Sequence, residues 1–94
     1  VLPENDDDDV GPHPDIRPGA PTPLYEQVAD LIEARVRAGE LKVESRLPAE
    51  RDLRDYYGVA YVTIRRAMEI LRERGTVQTV HGRGTFVVRM PRSK

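Results

Sequence analysis

Apolar residues recur with a helical period in three stretches of the chain and cluster as β-formers in two, with glycine or proline near most boundaries. In the first stretch Leu24, Val28, Leu31, Ile32 and Val36 follow the i, i+3, i+4, i+7 spacing of one helical face, while Glu26, Asp30, Glu33 and Arg37 lie elsewhere. Thr22-Pro23 precedes it, a hydroxyl suited to capping and a proline suited to the first helical position, and Gly39 is expected to end it in a left-handed conformation. A polar link, Glu40 to Arg46, follows, with Leu41 and Val43 as its apolar anchors. Leu47-Pro48 opens a shorter helix, about Ala49 to Tyr57, whose Leu53, Tyr56 and Tyr57 form the apolar side, and Gly58 stops it.

Only Val59-Ala60 separate that helix from a third, Tyr61 to Arg74, with Ile64, Ala67, Met68 and Leu71 inward and Gly75 closing it. A joint this short, with glycine at its start, forces a sharp crossing, which is a helix-turn-helix. Thr76–Val80 and Thr85–Val88 are β-rich, and His81-Gly82-Arg83-Gly84 between them has the length and glycine content of a hairpin loop. The pattern predicts an α+β domain over residues 22–88, three helices followed by a two-stranded β-hairpin wing: a winged helix-turn-helix.

The ends read differently. Residues 1–21 hold five prolines, the run Asp6–Asp9 and only a few large apolar residues without a period, so they are expected to form a disordered acidic leader. Such a leader either keeps the protein soluble or competes with DNA for a basic surface. Residues 89–94 are polar and basic, with Pro91 arguing against strand, and are read as a tail or the start of a linker.

Composition sharpens this picture. The 94 residues include no cysteine, which removes disulfides, zinc ribbons and thiolate nucleophiles, and the chain is too short for two sizeable cores. The net charge of −1 conceals an asymmetry. Residues 1–20 carry six acids against one base, residues 21–57 eight against six, and residues 58–94 two against eight. A basic end is where a polyanion would bind. No apolar run is long enough to span a membrane, and no signal peptide opens the chain, so a cytoplasmic protein is expected.

Three constellations carry candidate chemistry. With its apolar residues inward, the third helix leaves Tyr61, Val62, Arg65 and, more obliquely, Arg66 and Glu69 outside near its N-terminal half, the part that a helix-turn-helix presents to the major groove. Arg65 suits a bidentate contact to guanine, and Thr63 suits a phosphate or its own helix end. The plainer alternative is a solvated face with an Arg65–Glu69 pair. In the loop, the glycines let the backbone approach a phosphate ridge and Arg83 can enter a narrow minor groove, while His81 can donate to a phosphate; otherwise it is an ordinary turn. Arg51, near the start of the second helix, fits a phosphate or a surface ion pair with Glu50 or Asp55. The only other histidine, His13, lies in the segment expected to be disordered, so no metal site is expected at His81, and neither a catalytic constellation nor a cofactor is foreseen.

Taken in order, Leu24-Tyr25-Glu26-Gln27-Val28, Gly39-Glu40-Leu41, Leu47-Pro48-Ala49-Glu50-Arg51-Asp52-Leu53, Tyr57-Gly58-Val59, Thr63-Ile64-Arg65-Arg66-Ala67, Leu71 and Gly82-Arg83-Gly84-Thr85-Phe86-Val87 resemble the DNA-binding domain of GntR-type bacterial transcription regulators. The resemblance implies an operator-binding winged helix, usually a homodimer on a palindromic site, that continues into an effector-binding domain or, in one branch, a pyridoxal-phosphate-using aminotransferase-like domain. It implies DNA contacts from Arg51, Ala60, Tyr61, Val62, Thr63, Arg65, His81 and Gly82, to which the charge argument adds Arg83 and the outward face of the third helix adds Arg66. Ala60 stands where the family usually has Ser or Thr, and Tyr61 where it usually has Arg, so a shifted operator preference and weaker binding are expected. Since the chain stops at Lys94, it is expected to be either the DNA-binding part of a longer regulator or a small stand-alone one. The rival from another class is a protein-interaction winged helix without specific DNA binding.

Overall fold

A computed structural model describes residues 12–92. Helices α1 (Leu24–Arg37), α2 (Glu50–Tyr57) and α3 (Tyr61–Glu73) precede strands β1 (Val77–Val80) and β2 (Gly84–Val87), which pair antiparallel with Val77 opposite Val87 and Val80 opposite Gly84. This is the winged helix-turn-helix that the pattern predicts. Val28, Ala29, Ile32 and Val36 of α1 are buried with Ile64, Ala67, Met68 and Leu71 of α3. Leu53 and Tyr57 close this core from α2, and Leu47, Val77 and Val87 close it beneath the hairpin.

The helix boundaries lie within a residue or two of the periodic pattern, but their caps differ from expectation. Thr22 does not cap α1. Pro23 occupies the N-cap position with no side-chain bond, and the Thr22 carbonyl instead accepts from the Gln27 side-chain amide at 2.8 Å. Gly58 has φ +66 and its N–H donates to the Arg54 carbonyl at 2.8 Å, so the left-handed stop between α2 and α3 is where the sequence places it. Tyr56, expected on the apolar side of α2, is half exposed, because the core face of this short helix is filled by Leu53 and Tyr57.

The polar link has more structure than its composition announces. Leu47 N–H donates to the Thr85 carbonyl at 2.8 Å, Val87 N–H to the Ser45 carbonyl at 2.9 Å, and Arg46 forms an isolated antiparallel bridge with Phe86. Residues 44–47 therefore run as a strand-like edge along β2. Leu41 packs against the core as an anchor, whereas Val43 is exposed. Glu44 enters this edge with φ +74, a left-handed conformation that costs a non-glycine residue about 1 kcal/mol or more.

Both ends of the described chain correct the sequence reading. The part of the expected leader before residue 12 lies outside the described residues. Residues 12–21, however, form a strap on the domain. Ile16 is buried in the core, His13 N–H donates to the Tyr57 carbonyl at 2.9 Å, and the Gln27 amide both accepts from Arg17 N–H at 2.8 Å and donates to its carbonyl at 3.0 Å. Burial of Ile16, with the backbone bond at His13 and the Gln27 side-chain bonds at Arg17, opposes an ordering entropy that composition alone would leave unopposed. The tail also folds back: Pro91 is buried, the Arg92 carbonyl accepts from Arg37 at 3.0 Å, and the Arg89 guanidinium donates to the Arg74 carbonyl.

Two stability outcomes follow from this packing. Ile16→Ala should lower unfolding free energy by about 2 kcal/mol in a denaturant titration, the low end for a buried isoleucine because the strap is peripheral; no loss would mean the strap does not contribute to the core. Glu44→Gly should raise it by about 0.5–1 kcal/mol, net of the extra freedom glycine gives the unfolded chain, seen as a melting temperature a few degrees higher.

Candidate nucleic-acid interface

The N-terminal half of α3 meets solvent where the pattern places it. Tyr61 is 39% exposed and Val62 is 69% exposed, and Arg65 and Arg66 are exposed as well. Ala60 is the N-cap residue, and its carbonyl accepts from Thr63 N–H at 3.0 Å with no side-chain cap bond, as expected of an alanine there. Thr63 is half buried in the first turn.

The arginines of this face are held by aromatic rings. The Arg65 guanidinium carbon lies 4.8 Å from the Tyr61 ring centroid, and the Arg54 guanidinium carbon, arriving from α2, lies 5.5 Å from the same ring. Arg66 points the other way, 4.7 Å from the Tyr25 ring on α1. Such contacts restrict a guanidinium without removing its charge. The Arg65–Glu69 pair considered from spacing is not the one formed: Arg65 Nε is 3.7 Å from Glu50 Oε1, across the α2–α3 joint. With Glu50 turned to Arg65, and Asp55 accepting from Arg54 at 3.1 Å, the two carboxylates that could have engaged Arg51 are directed elsewhere. Arg51 itself is exposed on the first turn of α2.

The wing follows α3 in the basic C-terminal part of the sequence. Its loop comprises three residues, His81, Gly82 and Arg83, with Arg83 N–H donating to the Val80 carbonyl at 2.9 Å; Gly84 belongs to β2 rather than to the loop. His81, Gly82 and Arg83 are all exposed. The hairpin is braced on two sides. Arg72 of α3 donates to Thr79 Oγ1 at 3.1 Å, and Thr79 in turn shares a 3.0 Å hydrogen bond with Thr85 across the strands. Arg46 donates to the Arg83 carbonyl at 3.2 Å, and its methylenes run so close to Gly84 that a Cβ there would meet Arg46 Cδ at 2.8 Å. With φ +118 as well, Gly84 leaves room for no other residue without a shift.

Tyr61, Val62, Thr63 and Arg65 thus share one helix end, Arg54 and Glu50 join them from α2, and His81–Arg83 form the wing tip. Arg66 is directed toward α1 and stands apart. The sequence reading missed Arg54, Arg46 and Arg72. Arg54 gave no signal because its partner Tyr61 is brought to it only by the tight turn at Gly58. Arg46 sits in a link that carries no period, and Arg72 reads as a solvated helix residue until the hairpin folds against it.

Comparison with known proteins places this arrangement. The family model described as bacterial regulatory proteins, gntR family, matches residues 24–87. The mannosyl-D-glycerate transport/metabolism system repressor MngR of Escherichia coli K12 is 42% identical over 65 residues, covering 69% of this chain and 27% of the repressor. The chain spans less than a third of the length of such curated relatives. Among solved structures, YtrA from Sulfolobus acidocaldarius, a GntR-family transcription factor, superposes with a TM-score of 0.71 at 34% identity over 79% of this chain and 78% of its own. The AraR DNA-binding domain in complex with operator ORX1 gives a TM-score of 0.67 at 34% identity over 71% of this chain and 81% of its own. With the family model covering most of the chain, from the start of α1 to the end of β2, the protein belongs to the gntR family of bacterial regulatory proteins.

Proposed function

We propose that this chain is the sequence-specific, double-stranded DNA-binding module of a bacterial transcription regulator. The observation that carries the reading is the exposed end of α3, where Tyr61, Val62 and Arg65 stand clear of the core while Ile64, Ala67 and Met68 on the same helix are buried. That end enters the major groove, Arg65 reads a base, Arg51 and Thr63 contact phosphates, and the wing tip His81–Arg83 lies on the minor groove or backbone. Ala60 contributes backbone approach without a hydroxyl, and Gly82 lets the wing come close to a phosphate. Arg66, stacked on Tyr25, contributes charge at the edge of the footprint. The operator complex of the structurally similar AraR domain supports a DNA partner for this fold.

The site is palindromic and bound by a homodimer in the full regulator, with an effector taken up by a further domain and the work done in the cytoplasm. Family membership supports these extensions, and among the described residues no helix is long and apolar enough to cross a membrane.

Binding to a random-sequence duplex should weaken as salt rises, with a log–log slope of about −0.9 per neutralised phosphate. Selection from a random duplex library should enrich a defined sequence, on which Arg65→Ala should cost about 1–3 kcal/mol, concentrated at one base position. A uniform loss across sequences would make Arg65 a phosphate contact. A flat salt response with no enriched sequence would refute the DNA-binding reading in favour of a protein-interaction module.

A further inference from the structure

The proposed footprint assigns no role to Arg54, yet Arg54 meets it at Tyr61. Its guanidinium approaches one aromatic ring that Arg65 also approaches, at 5.5 Å and 4.8 Å from the centroid, so one phenol lies beside two cations from two helices. Placing two like charges around one side chain is unfavourable unless something offsets their repulsion. The ring supplies part of that offset through its negative face. Asp55 and Glu50 supply more, but incompletely. Asp55 Oδ1 engages only Nε and Nη2 of Arg54, each at 3.1 Å, and Glu50 stands 3.7 Å from Arg65 Nε. Nη1 of Arg54 and both Nη groups of Arg65 keep their donors for an outside partner. Arg54 is 40% exposed at the side chain and Arg65 64% exposed, so each guanidinium is open to the DNA.

We propose that Tyr61 organises a two-arginine clamp in which Arg54, reaching across from α2, is an additional phosphate contact and Tyr61 is the positioning residue for both guanidiniums. The proposal rests on the DNA-binding reading above and extends its footprint along α2. A phosphate of the duplex backbone held by Arg54 brings a negative charge beside the two cations while Arg65 stays turned to the base edge, and the planar fork of arginine matches the phosphate oxygens. The ring also restrains Arg65 before binding, so less side-chain freedom is lost when it meets a base edge. In this chain the aromatic residue at position 61 thereby draws in a cation from the neighbouring helix. The Gly58 turn makes this possible by setting the last turn of α2 beside the first turn of α3.

The test uses the whole 94-residue chain and a random-sequence duplex of about 24 base pairs, with affinity measured between about 50 and 200 mM KCl. Arg54→Ala should reduce the magnitude of the log–log salt slope by about 0.9, the contribution of one phosphate. Tyr61→Ala should reduce it at least as much, whereas Tyr61→Phe, which keeps the ring, should retain the unaltered slope. The double variant Arg54→Ala with Tyr61→Ala should fall no lower than Tyr61→Ala alone. Melting temperatures and circular dichroism close to those of the unaltered chain are expected for every variant, because both side chains are substantially exposed. An unchanged slope in Arg54→Ala, a Tyr61→Phe variant as weak as Tyr61→Ala, or additive losses in the double variant would each overturn the clamp while leaving DNA binding intact. A flat salt response of the unaltered chain would overturn the DNA-binding reading and the clamp together.

Discussion

The fold turns on one buried carboxylate. Glu33 is 8% exposed on the core-facing side of α1, and its two oxygens are divided between two elements: Oε1 accepts from Arg74 at 2.8 Å at the end of α3, and Oε2 accepts from Thr76 at 2.6 Å just before β1. Arg74 also donates to Asp30 at 3.0 Å. Burial works against the Arg74 charge, but its bonds to Asp30 and Glu33 outweigh that cost and hold its pKa above the ordinary arginine value. A charge in this position is tolerated because it is fully engaged, and the engagement is directional, unlike the apolar contacts around it. It fixes where the chain leaves α3 and therefore where the wing begins. The geometry relating the helix end at Tyr61 to the wing tip at Arg83 depends on this junction, since both are read out from α3.

The exposed face obeys a different rule. Carboxylates tie Arg74, whereas the arginines turned outward around α3 also lie over aromatic rings: Arg65 and Arg54 over Tyr61, with Glu50 and Asp55 beside them, and Arg66 over Tyr25. Asp55 and Glu50 each engage only part of a guanidinium and leave its other N–H groups for a phosphate. A ring limits its rotamers and leaves the charge available. The chain thus keeps a basic C-terminal part while its total charge is nearly zero, because six of its acids lie in residues 1–20 and only two in residues 58–94. On the opposite side, Tyr57 illustrates the interior case, where burial pushes its hydroxyl pKa up against the pull of the nearby Arg35.

Much of this was legible in the sequence, for identifiable reasons. Ile64, Ala67, Met68 and Leu71 repeat at helical spacing, and a long helix with a single apolar face leaves little freedom for its orientation, so the exposed residues of α3 follow by subtraction. The two-residue joint after Gly58 and the glycine-bearing hairpin are local signals, and local signals survive folding. What escaped were interactions between segments distant in sequence. Ile16 carries no period to announce it, yet one isoleucine in the right cavity is enough to hold a strap. Residues 44–47 read as a polar link because their backbone, not their side chains, does the pairing with β2. Tyr56 shows the limit of short periods: in an eight-residue helix a neighbour of two buried positions can face either way. Arg54 and Arg46 were invisible because their partners, Tyr61 and the Arg83 carbonyl, lie on other elements.

The return of the chain after β2 has a mechanical side. Arg89 is fastened to the carbonyl of Arg74, and the carbonyl of Arg92 is fastened to Arg37, so the last described residues are tied to the far ends of α3 and α1. The Arg74 anchor lies about 20 Å along α3 from Tyr61. A pull or twist applied to the chain at Arg92 would not be absorbed by slack. It would load the end of α1 directly through the Arg92–Arg37 bond and the end of α3 through Arg89.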